Sequence, residues 1–270
     1  MGLGLTLNNF KQVFIQPKAA ITGLVAQLIL LPLVGFILAT VFPLSPELAV
    51  GVTILAACPG GPTSNMITYL VKGNVALSVT LTAISSLITV FTIPLIVNFA
   101  MQNFMGENTA LRLPFVTTII QIAVITLIPT GIGMILHRYR PKFAAKAKKT
   151  VKWLSLFFLT LIIVGLLIKE RDNVVNFFYQ VGGVMLTLNI VMMFIGYQIA
   201  NITKLDRPSA KAIAVEVGIQ NGTLAIALAS SPTWLNSPTM AIPAAIYSLI
   251  MYPTSAVFVR LVRQRQIVTE

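Results

Sequence analysis

Residues 212–222 read Ala212-Ile-Ala-Val-Glu216-Val-Gly218-Ile-Gln-Asn-Gly222, an apolar run that carries one acid and is then interrupted. The apolar run resumes from Thr223 to Ala229. The chain has seven acidic residues, and the other six lie at the ends of apolar runs, in loops or at the terminus: Glu47, Glu107, Glu170, Asp172, Asp206 and Glu270. A carboxylate inside a membrane-length segment costs at least about 2.5 kcal/mol on insertion scales. We therefore expect Glu216 to have a partner and a functional role.

The composition of the chain predicts a membrane protein. Hydrophobic residues make up 56% of the 270 residues and charged residues 10%, which is far from a soluble domain. Eight apolar stretches reach the length of about 20 residues that a spanning helix needs. They are 19–42, 47–71, 75–101, 113–137, 150–168, 174–200, 208–231 and 239–260. We predict an all-α fold, a polytopic transmembrane helical bundle.

Basic residues indicate how the spans are oriented. With the N-terminus inside, every Lys and Arg except Arg112, Lys169 and Arg171 falls on the cytoplasmic side, which is the positive-inside pattern. This predicts a multi-pass protein of the cell (inner) membrane with both termini cytoplasmic. The basic cluster at 138–152 is predicted as a cytoplasmic loop, and contact with anionic lipid head groups is the alternative. The formal net charge of +12 follows from this topology, and a nucleic-acid partner is not expected.

Two of the predicted spans are interrupted by polar segments rich in Gly and Pro. The second breaks at Pro59-Gly-Gly-Pro-Thr-Ser-Asn65 and the seventh at Gly218-Ile-Gln-Asn-Gly222. Backbone groups freed from a helix at membrane depth are tolerated only inside protein or along a water-filled cavity. Counted from a cytoplasmic N-terminus, the two broken helices run in opposite directions. This predicts a carrier with inverted repeats and a site near the membrane midplane.

The positions of the breaks also predict missing spans. The broken helix is the second of three spans in the first half and the fourth of five in the second half. Two halves of five spans would match, so we expect the first two spans of a ten-helix fold to be missing, with residues 1–10 as the end of one of them. A fragment or a downstream start codon would explain this. A native eight-helix protein is the alternative.

Side-chain oxygens around the breaks predict a cation site. Ser78 and Thr82 are four residues apart and share a helix face, and Gln27 places an amide in the middle of the first span. One carboxylate among neutral oxygens suits a monovalent cation such as sodium better than Mg²⁺. Packing between helices is the alternative role for Ser78 and Thr82. The oxygens nearest the breaks belong to Ser64, Asn65, Glu216, Gln220 and Asn221.

The breaks also predict an anion site. The half-helices that start near Asn65 and Thr223 present free N–H groups and positive dipole ends toward the centre of the fold. Such ends favour an anionic group, for example a carboxylate or a sulfate. Cation and anion would be coupled, because the cation neutralises Glu216 and orders the breaks that receive the anion.

Few residues of the chain suit catalysis or transition-metal binding. Cys58 and His137 are its single Cys and His, which does not favour a zinc, haem or iron–sulfur site. A hydrolase would need a nucleophile with a base, or paired acids, and Glu216 has neither a His nor a second acid near it in sequence. We predict that the chain is not an enzyme and holds no organic cofactor.

Three segments resemble signature segments of the sodium/bile acid cotransporter family. They are Cys58-Pro-Gly-Gly-Pro-Thr-Ser-Asn65, Lys72-Gly-Asn-Val-Ala-Leu-Ser78-Val and Glu216-Val-Gly-Ile-Gln-Asn221, and the resemblance runs from Met1 to about Arg260. It implies ten helices in a panel domain and a core domain, with two broken helices crossing in the core. Within one transporter domain, 1–270, the core-like parts are then 19–42, 47–101 and 174–231, while the division of 113–168 and 239–265 stays open.

The resemblance implies two sodium ions behind the crossing. One sodium site would use the side chains of Ser64, Asn65, Ser78, Thr82 and Glu216. The other would use the side chains of Gln27, Glu216 and Gln220 and the carbonyls of Val217 and Ile219. The substrate would lie near Thr63, Asn221 and Gly222. Pro62 stands where relatives often carry a polar residue, and 246–252 lacks the His-Asn pair of some bacterial members, so the substrate itself stays open.

Together these features predict a sodium-coupled secondary symporter of an organic anion, bile-acid-like or a smaller carboxylate, that works by alternating access. A cation-gated channel or a proton-coupled organic anion carrier is the alternative. A channel more often shows a ring of like residues around an open pore. Two oppositely directed breaks suit alternating access better.

Overall fold

The computed structural model describes residues 2–106, 112–169 and 174–267, and nearly all of these residues are helical. The predicted all-α class is confirmed. Five charged residues named above lie outside the described residues. They are Glu107, Glu170, Arg171, Asp172 and Glu270.

The helices are short at the two breaks and near the N-terminus, and most of the others are long. A 3₁₀ turn at Gly2–Gly4 comes first, and a π-helical turn at Ala26–Leu30 joins α2 to α3. In chain order the helices are α1 (Leu7–Ile15), α2 (Pro17–Val25), α3 (Leu31–Val41), α4 (Pro46–Ala57), α5 (Ser64–Leu70), α6 (Val75–Met105), α7 (Phe115–Tyr139), α8 (Pro141–Lys169), α9 (Val174–Ile202), α10 (Arg207–Gly218), α11 (Gly222–Ser230) and α12 (Pro238–Ile267).

The helices fit a polytopic membrane protein. In the described part of the chain, 5 helical segments are long and apolar enough to cross a membrane: Pro17–Val41, Val75–Met105, Phe115–Tyr139, Val175–Ile202 and Pro238–Val262. Two further predicted spans, 47–71 and 208–231, are each built from two short helices, α4 with α5 and α10 with α11. The predicted span 150–168 lies within α8.

The segment 138–152, predicted as a cytoplasmic loop, is mostly helical, so the prediction of a loop was wrong. Only Arg140 separates α7 from α8, which begins at Pro141. Proline is tolerated in the first turn of a helix, and the following Lys and Ala residues are good helix formers. The exposed side chains of Lys142 and Lys146 therefore lie on the first turns of a helix.

The described residues near the N-terminus form two short elements. The 3₁₀ turn ends at Gly4 and α1 begins at Leu7, so residues 2–10 do not continue as one helix. The 3₁₀ turn packs on α7, and α1 packs on α6. Thr80 of α6 donates to the carbonyl of Asn9 at 2.7 Å, which ties α1 to the helix that carries Ser78 and Thr82.

The buried centre of the fold surrounds the two broken helices. Helices α4, α6, α9, α10, α11 and α12 pack on one another, with fully buried side chains such as Leu55, Leu81 and Met185 between them. In contrast, α7 and α8 pack mainly on each other, on the 3₁₀ turn and on α6. Their outer faces expose large apolar side chains such as Ile132 and Phe157, which suits contact with lipid tails.

Candidate functional site

The two broken helices cross, and the predicted crossing is confirmed. Gly60 and Gln220 form an isolated antiparallel bridge between the two breaks. The amide of Gly61 donates to the carbonyl of Ile219 at 2.7 Å, and the amide of Asn221 donates to the carbonyl of Pro59 at 3.0 Å. Backbone groups that the breaks release from helices are thus satisfied by the opposite break, as buried backbone at membrane depth requires.

Glycine is required where the two breaks touch. A methyl group added to Gly60 would overlap the carboxylate of Glu216, and one added to Gly61 would press on the carbonyl of Gln220. The absence of a side chain therefore lets the first break approach the end of α10 closely enough for the backbone pairing. This gives a physical reason for the Gly-Gly pair between Pro59 and Pro62.

Glu216 is fully buried, and its partners are three hydroxyl groups. Ser64 and Ser78 donate to its Oε2 atom at 2.8 Å and 3.0 Å, and Thr82 donates to its Oε1 atom at 2.5 Å. Thr68 extends the cluster by donating to the Ser78 hydroxyl at 3.2 Å. The carboxylate therefore joins α5, α6 and α10 through neutral donors.

Local sequence explains how these groups converge. Ser64 is the first residue of α5, directly after the first break, and Glu216 lies two residues before the end of α10. Asn74 caps α6 by accepting a hydrogen bond from the amide of Leu77 at 3.0 Å. This fixed start presents Ser78 and Thr82, one turn apart, on the face toward Glu216.

A second polar cluster lies at the end of α10. The buried side chain of Gln27, in the π-helical turn, donates to the Oε1 atom of Gln220 at 2.8 Å and to the carbonyl of Cys58 at 3.2 Å. Gln220 in turn donates to the carbonyls of Val217 at 2.8 Å and of Glu216 at 3.4 Å. Four of the five residues predicted from the resemblance for the second sodium site are thus linked by hydrogen bonds, whereas the carbonyl of Ile219 accepts from the first break.

Two buried oxygens of the predicted sodium ligands accept no hydrogen bond from any described residue. They are the carboxamide oxygens Oε1 of Gln27 and Oδ1 of Asn65. A buried acceptor without a donor is costly and calls for an explanation, and an unseen ion is one of the standard ones. Together with the carboxylate and hydroxyls around Glu216, this oxygen-rich set fits a hard monovalent cation.

The three residues expected near the substrate flank the crossing. Thr63 is half-buried at the start of α5, and Asn221 is half-buried and caps α11 by accepting from the amide of Leu224 at 3.1 Å. Gly222 is buried, and a methyl group there would overlap the hydroxyl of Ser248 on α12. The neighbouring Pro62 and Thr223 are exposed, so the starts of both half-helices reach accessible surface.

Two buried residues that contact the end of α10 were not predicted from the sequence. Asn189 of α9 donates to the carbonyl of Gly218 at 2.7 Å, and the hydroxyl of Tyr247 on α12 donates to the same oxygen at 3.0 Å. Both side chains are fully buried. A polar side chain in the middle of an apolar span is a signal that sequence alone offers, and Asn189 has it.

Lys211 was counted only as a cytoplasmic charge, yet it is buried within α10. Its ammonium donates to the carbonyl of Val71, just after α5, at 3.1 Å. Nearby, the amide of Asn74 donates to the carbonyl of Pro208 at 2.9 Å. The side chain of Asn74 donates to Ser209 at 3.2 Å and to Gln16 at 3.0 Å. These contacts, here called the 71–74 clamp, join the α5–α6 turn to the starts of α2 and α10.

Comparison with known families supports the resemblance. The model of the Sodium Bile acid symporter family matches residues 1–177, which include Gln27, Ser64, Ser78 and Thr82 but not Glu216. Relatives align further, beyond the second break.

Three relatives illustrate this likeness. The chain is 34% identical over 249 residues to the "Uncharacterized sodium-dependent transporter YocS" of Bacillus subtilis (strain 168), covering 92% of this chain and 75% of that protein. It is 28% identical over 249 residues to the "Probable sodium/metabolite cotransporter BASS1, chloroplastic" of Oryza sativa subsp. japonica (92% of this chain, 59% of the relative). It is 28% identical over 225 residues to the "Hepatic sodium/bile acid cotransporter" of Rattus norvegicus (82% of this chain, 61% of the relative). The chain spans less than two thirds of the rice and rat proteins.

Proposed function

Because the chain belongs to the sodium bile acid symporter family, whose relatives include sodium-dependent transporters, we propose that it is a sodium-coupled symporter of an organic anion. The observation that carries this proposal is the fully buried carboxylate of Glu216 at the crossing of the two broken helices. Three hydroxyl groups donate to it, and two carboxamide oxygens of the predicted sodium ligands accept from no described residue. The oxygen atoms of this cluster support the proposal of a binding site for a hard cation, which is a requirement of sodium-coupled transport.

Two sodium ions are proposed as co-substrates. The first binds among the hydroxyls of Ser64, Ser78 and Thr82, the carboxamide of Asn65 and the carboxylate of Glu216. The hydroxyl hydrogens that now point at Glu216 rotate away so that their oxygens face the ion. The unpaired Oδ1 atom of Asn65 supports this assignment, since a cation would satisfy it.

The second sodium ion is proposed at the end of α10. Its ligands are the side chains of Gln27, Gln220 and Glu216 together with the carbonyls of Val217 and Ile219. The unpaired Oε1 atom of Gln27 supports this site. The π-helical turn that carries Gln27 supports it as well, because such turns occur frequently at functional sites. Glu216 is shared, so each ion reduces the charge that the other ion meets.

The co-transported anion is proposed to bind on the accessible side of the crossing, at Thr63, Asn221 and Gly222. There the positive ends of two half-helices meet, and exposed Pro62 and Thr223 mark access from outside the packed core. A carboxylate is the class of group that we propose, on a bile-acid-like or smaller molecule. The rice and rat relatives, described as metabolite and bile acid cotransporters, support this range of sizes.

Alternating access is the proposed mechanism. The panel-like part would comprise α7 and α8, which pack little on the crossing. The core-like part would comprise the broken helices with α3, α6 and α9. Sodium would order the two breaks and so complete the anion site, and the core would then move against the panel. The proposed location is the inner membrane, with both termini cytoplasmic.

The test is the thermal stability of the purified protein in sodium against equal potassium, with the Glu216→Gln variant beside it. Binding to the folded state alone stabilises it by about 2.7 kcal/mol at a hundredfold excess of ligand over Kd. We expect a sodium-specific rise in Tm for the wild type and its loss in the variant. A Tm that depends on pH but not on sodium would instead favour the proton-coupled carrier.

Uptake into proteoliposomes completes the test. A sodium gradient should drive accumulation of a labelled carboxylate, such as cholate or a small organic acid, above its external concentration. Flux that never exceeds equilibration would argue for the cation-gated channel.

A further inference from the structure

The carbonyls at the end of α10 and of the residue after it accept hydrogen bonds from donors outside the helix. A helix end leaves its last carbonyls without helical partners. Those of Glu216 and Val217 accept from the side chain of Gln220, and that of Ile219 accepts from the amide of Gly61. The remaining carbonyl, that of Gly218, lies between the two proposed sodium ligands Val217 and Ile219.

The Gly218 carbonyl is held by two side chains at once. Asn189 donates to it at 2.7 Å and Tyr247 at 3.0 Å, while Asn189 also donates to the Tyr247 hydroxyl at 3.1 Å. Both amide hydrogens of Asn189 are therefore used, and its Oδ1 atom accepts from no described residue. Leaving the Oδ1 atom of Asn189 buried and unpaired costs free energy. We therefore infer that Asn189 has a role beyond packing.

The conformational freedom of Gly218 explains why its carbonyl needs two hydrogen-bond donors to fix its direction. A methyl group at this position would overlap Met193 of α9, so only glycine allows the close approach of α9 and α10. Glycine, however, leaves the backbone angles freer than any other residue does. Turning the peptide between Gly218 and Ile219 would reorient the carbonyls on either side of it, because neighbouring peptides share the Cα atoms of these residues.

We propose that Asn189 and Tyr247 are positioning residues for the second sodium ion. By holding the Gly218 carbonyl toward α9 and α12, they fix the directions of the Val217 and Ile219 carbonyls that ligate the ion. They do not touch the ion themselves. This inference rests on the proposed sodium-coupled function, and it assigns to α9 and α12 a part in setting the affinity and size selectivity of the site.

The test compares Tyr247→Phe and Asn189→Leu with wild type. Sodium Kd is measured by thermal shift against a potassium background, and the ratio of lithium to sodium affinity is measured in the same way. Removing one donor should weaken sodium binding about tenfold, the equivalent of one hydrogen bond to an ordered group. It should also change the lithium-to-sodium ratio, because looser carbonyls fit a different ion radius.

Tyr252→Phe is the matched control. Tyr252 lies on the same helix, is half-buried, and has no hydrogen bond to any described residue through its hydroxyl. Its variant should keep the wild-type sodium Kd and ion ratio. The double variant of Asn189 and Tyr247 should lose less than the sum of the single losses, because both side chains act on one carbonyl.

The outcomes separate the inference from the proposed function. A Tm in potassium that falls in both variants, with sodium Kd and ion ratio unchanged, would mean that the pair only stabilises the fold and would overturn the inference. Wild-type values throughout would overturn it as well. A wild type without any sodium dependence would instead overturn the proposed function, before any variant is compared.

Discussion

At the scale of single residues, the carboxylate of Glu216 is where three helices meet. Its partners are hydroxyl groups of α5 and α6, each of which can turn its oxygen toward a cation. Replacing one hydroxyl therefore removes both a donor to the acid and a proposed ligand. The effect on sodium binding should be larger than the effect on the empty protein.

Thr82→Val tests this point, because valine keeps the shape of threonine without its hydroxyl. We expect the sodium Kd to rise about tenfold, while the Tm in potassium changes by the modest amount that one lost hydrogen bond of about 1 kcal/mol gives. Isothermal titration with sodium measures the first quantity and a melting curve the second.

Thr89→Val is the control for that substitution. Thr89 is also buried on α6, but its hydroxyl donates only weakly, at 3.4 Å, to Ser86 of its own helix. Its variant should bind sodium like the wild type. Equal losses in both variants would point to a general weakening of α6 instead of a ligand at Thr82.

The spacing of residues in the sequence predicted much of this site. The residues that it did not predict make their contacts with distant parts of the chain. Ser78 and Thr82 share a helix face by their spacing, and the broken runs located Ser64 and Glu216. Asn189 could not be joined to Gly218 from sequence, because its partner is a backbone carbonyl 29 residues away on another helix. The π-helical turn at Gln27 also has no periodic signature that would mark it.

At the scale of elements, the crossing depends on how closely two chain breaks approach. Gly60 lies against Glu216, and the 71–74 clamp joins the same two broken helices a second time, beyond α5. The broken helices are thus held at two points, with the hydroxyl cluster between them. Most span boundaries were predicted to within a few residues. The exceptions are α8, where the basic run continues as helix because nothing after Pro141 stops it, and α12, which ends at Ile267 and not at 260.

Gly60→Ala should disturb the crossing directly. The new methyl group meets the Glu216 carboxylate and forces the first break away, at a cost in the range of about 1–3 kcal/mol for overpacking. We expect a lower Tm and loss of the sodium-dependent stabilisation. Gly131→Ala on α7 is the control, since a methyl group there meets nothing within 4 Å. Wild-type sodium dependence in Gly60→Ala would contradict the described contact.

Two substitutions of Asn74 distinguish its role as a helix cap from its role in the 71–74 clamp. Asn74→Asp keeps an oxygen for the Leu77 amide but loses the two donors to Gln16 and Ser209, whereas Asn74→Ala loses both functions. Loss of a cap typically costs about 1 kcal/mol. We expect Tm to fall in the order wild type, Asp variant, Ala variant. If the Asp variant melts like the wild type, the side-chain part of the clamp contributes no stability.

At the scale of the whole molecule, the orientation in the membrane is open to a direct chemical test. The single cysteine, Cys58, is 1% exposed, so the wild type should give little background with an impermeant thiol reagent. Arg112 and Arg140 lie at opposite ends of α7 and are both exposed. In the proposed topology, cysteine at 112 reacts in intact cells and cysteine at 140 reacts only after permeabilisation.

The reverse labelling pattern would invert the proposed topology. Equal labelling at both positions in intact cells would mean that α7 does not cross the membrane. Either result can be checked with a second pair of positions on another helix. The basic residues predicted this orientation without any structural information, because positive charge near short loops controls insertion.

The hydrogen bond between Ser64 and Glu216 also has a consequence for biosynthesis. The two residues are separated by 152 positions in the chain, and translation at about 5–20 residues per second needs roughly 8–30 s to cover that distance. During this interval α5 and α6 are in the membrane with serine and threonine hydroxyls that lack their final acceptor. The nascent protein therefore passes through a stage in which the first half of the site is in the membrane without Glu216. We expect it to be most susceptible to quality-control proteases just before α10 is inserted.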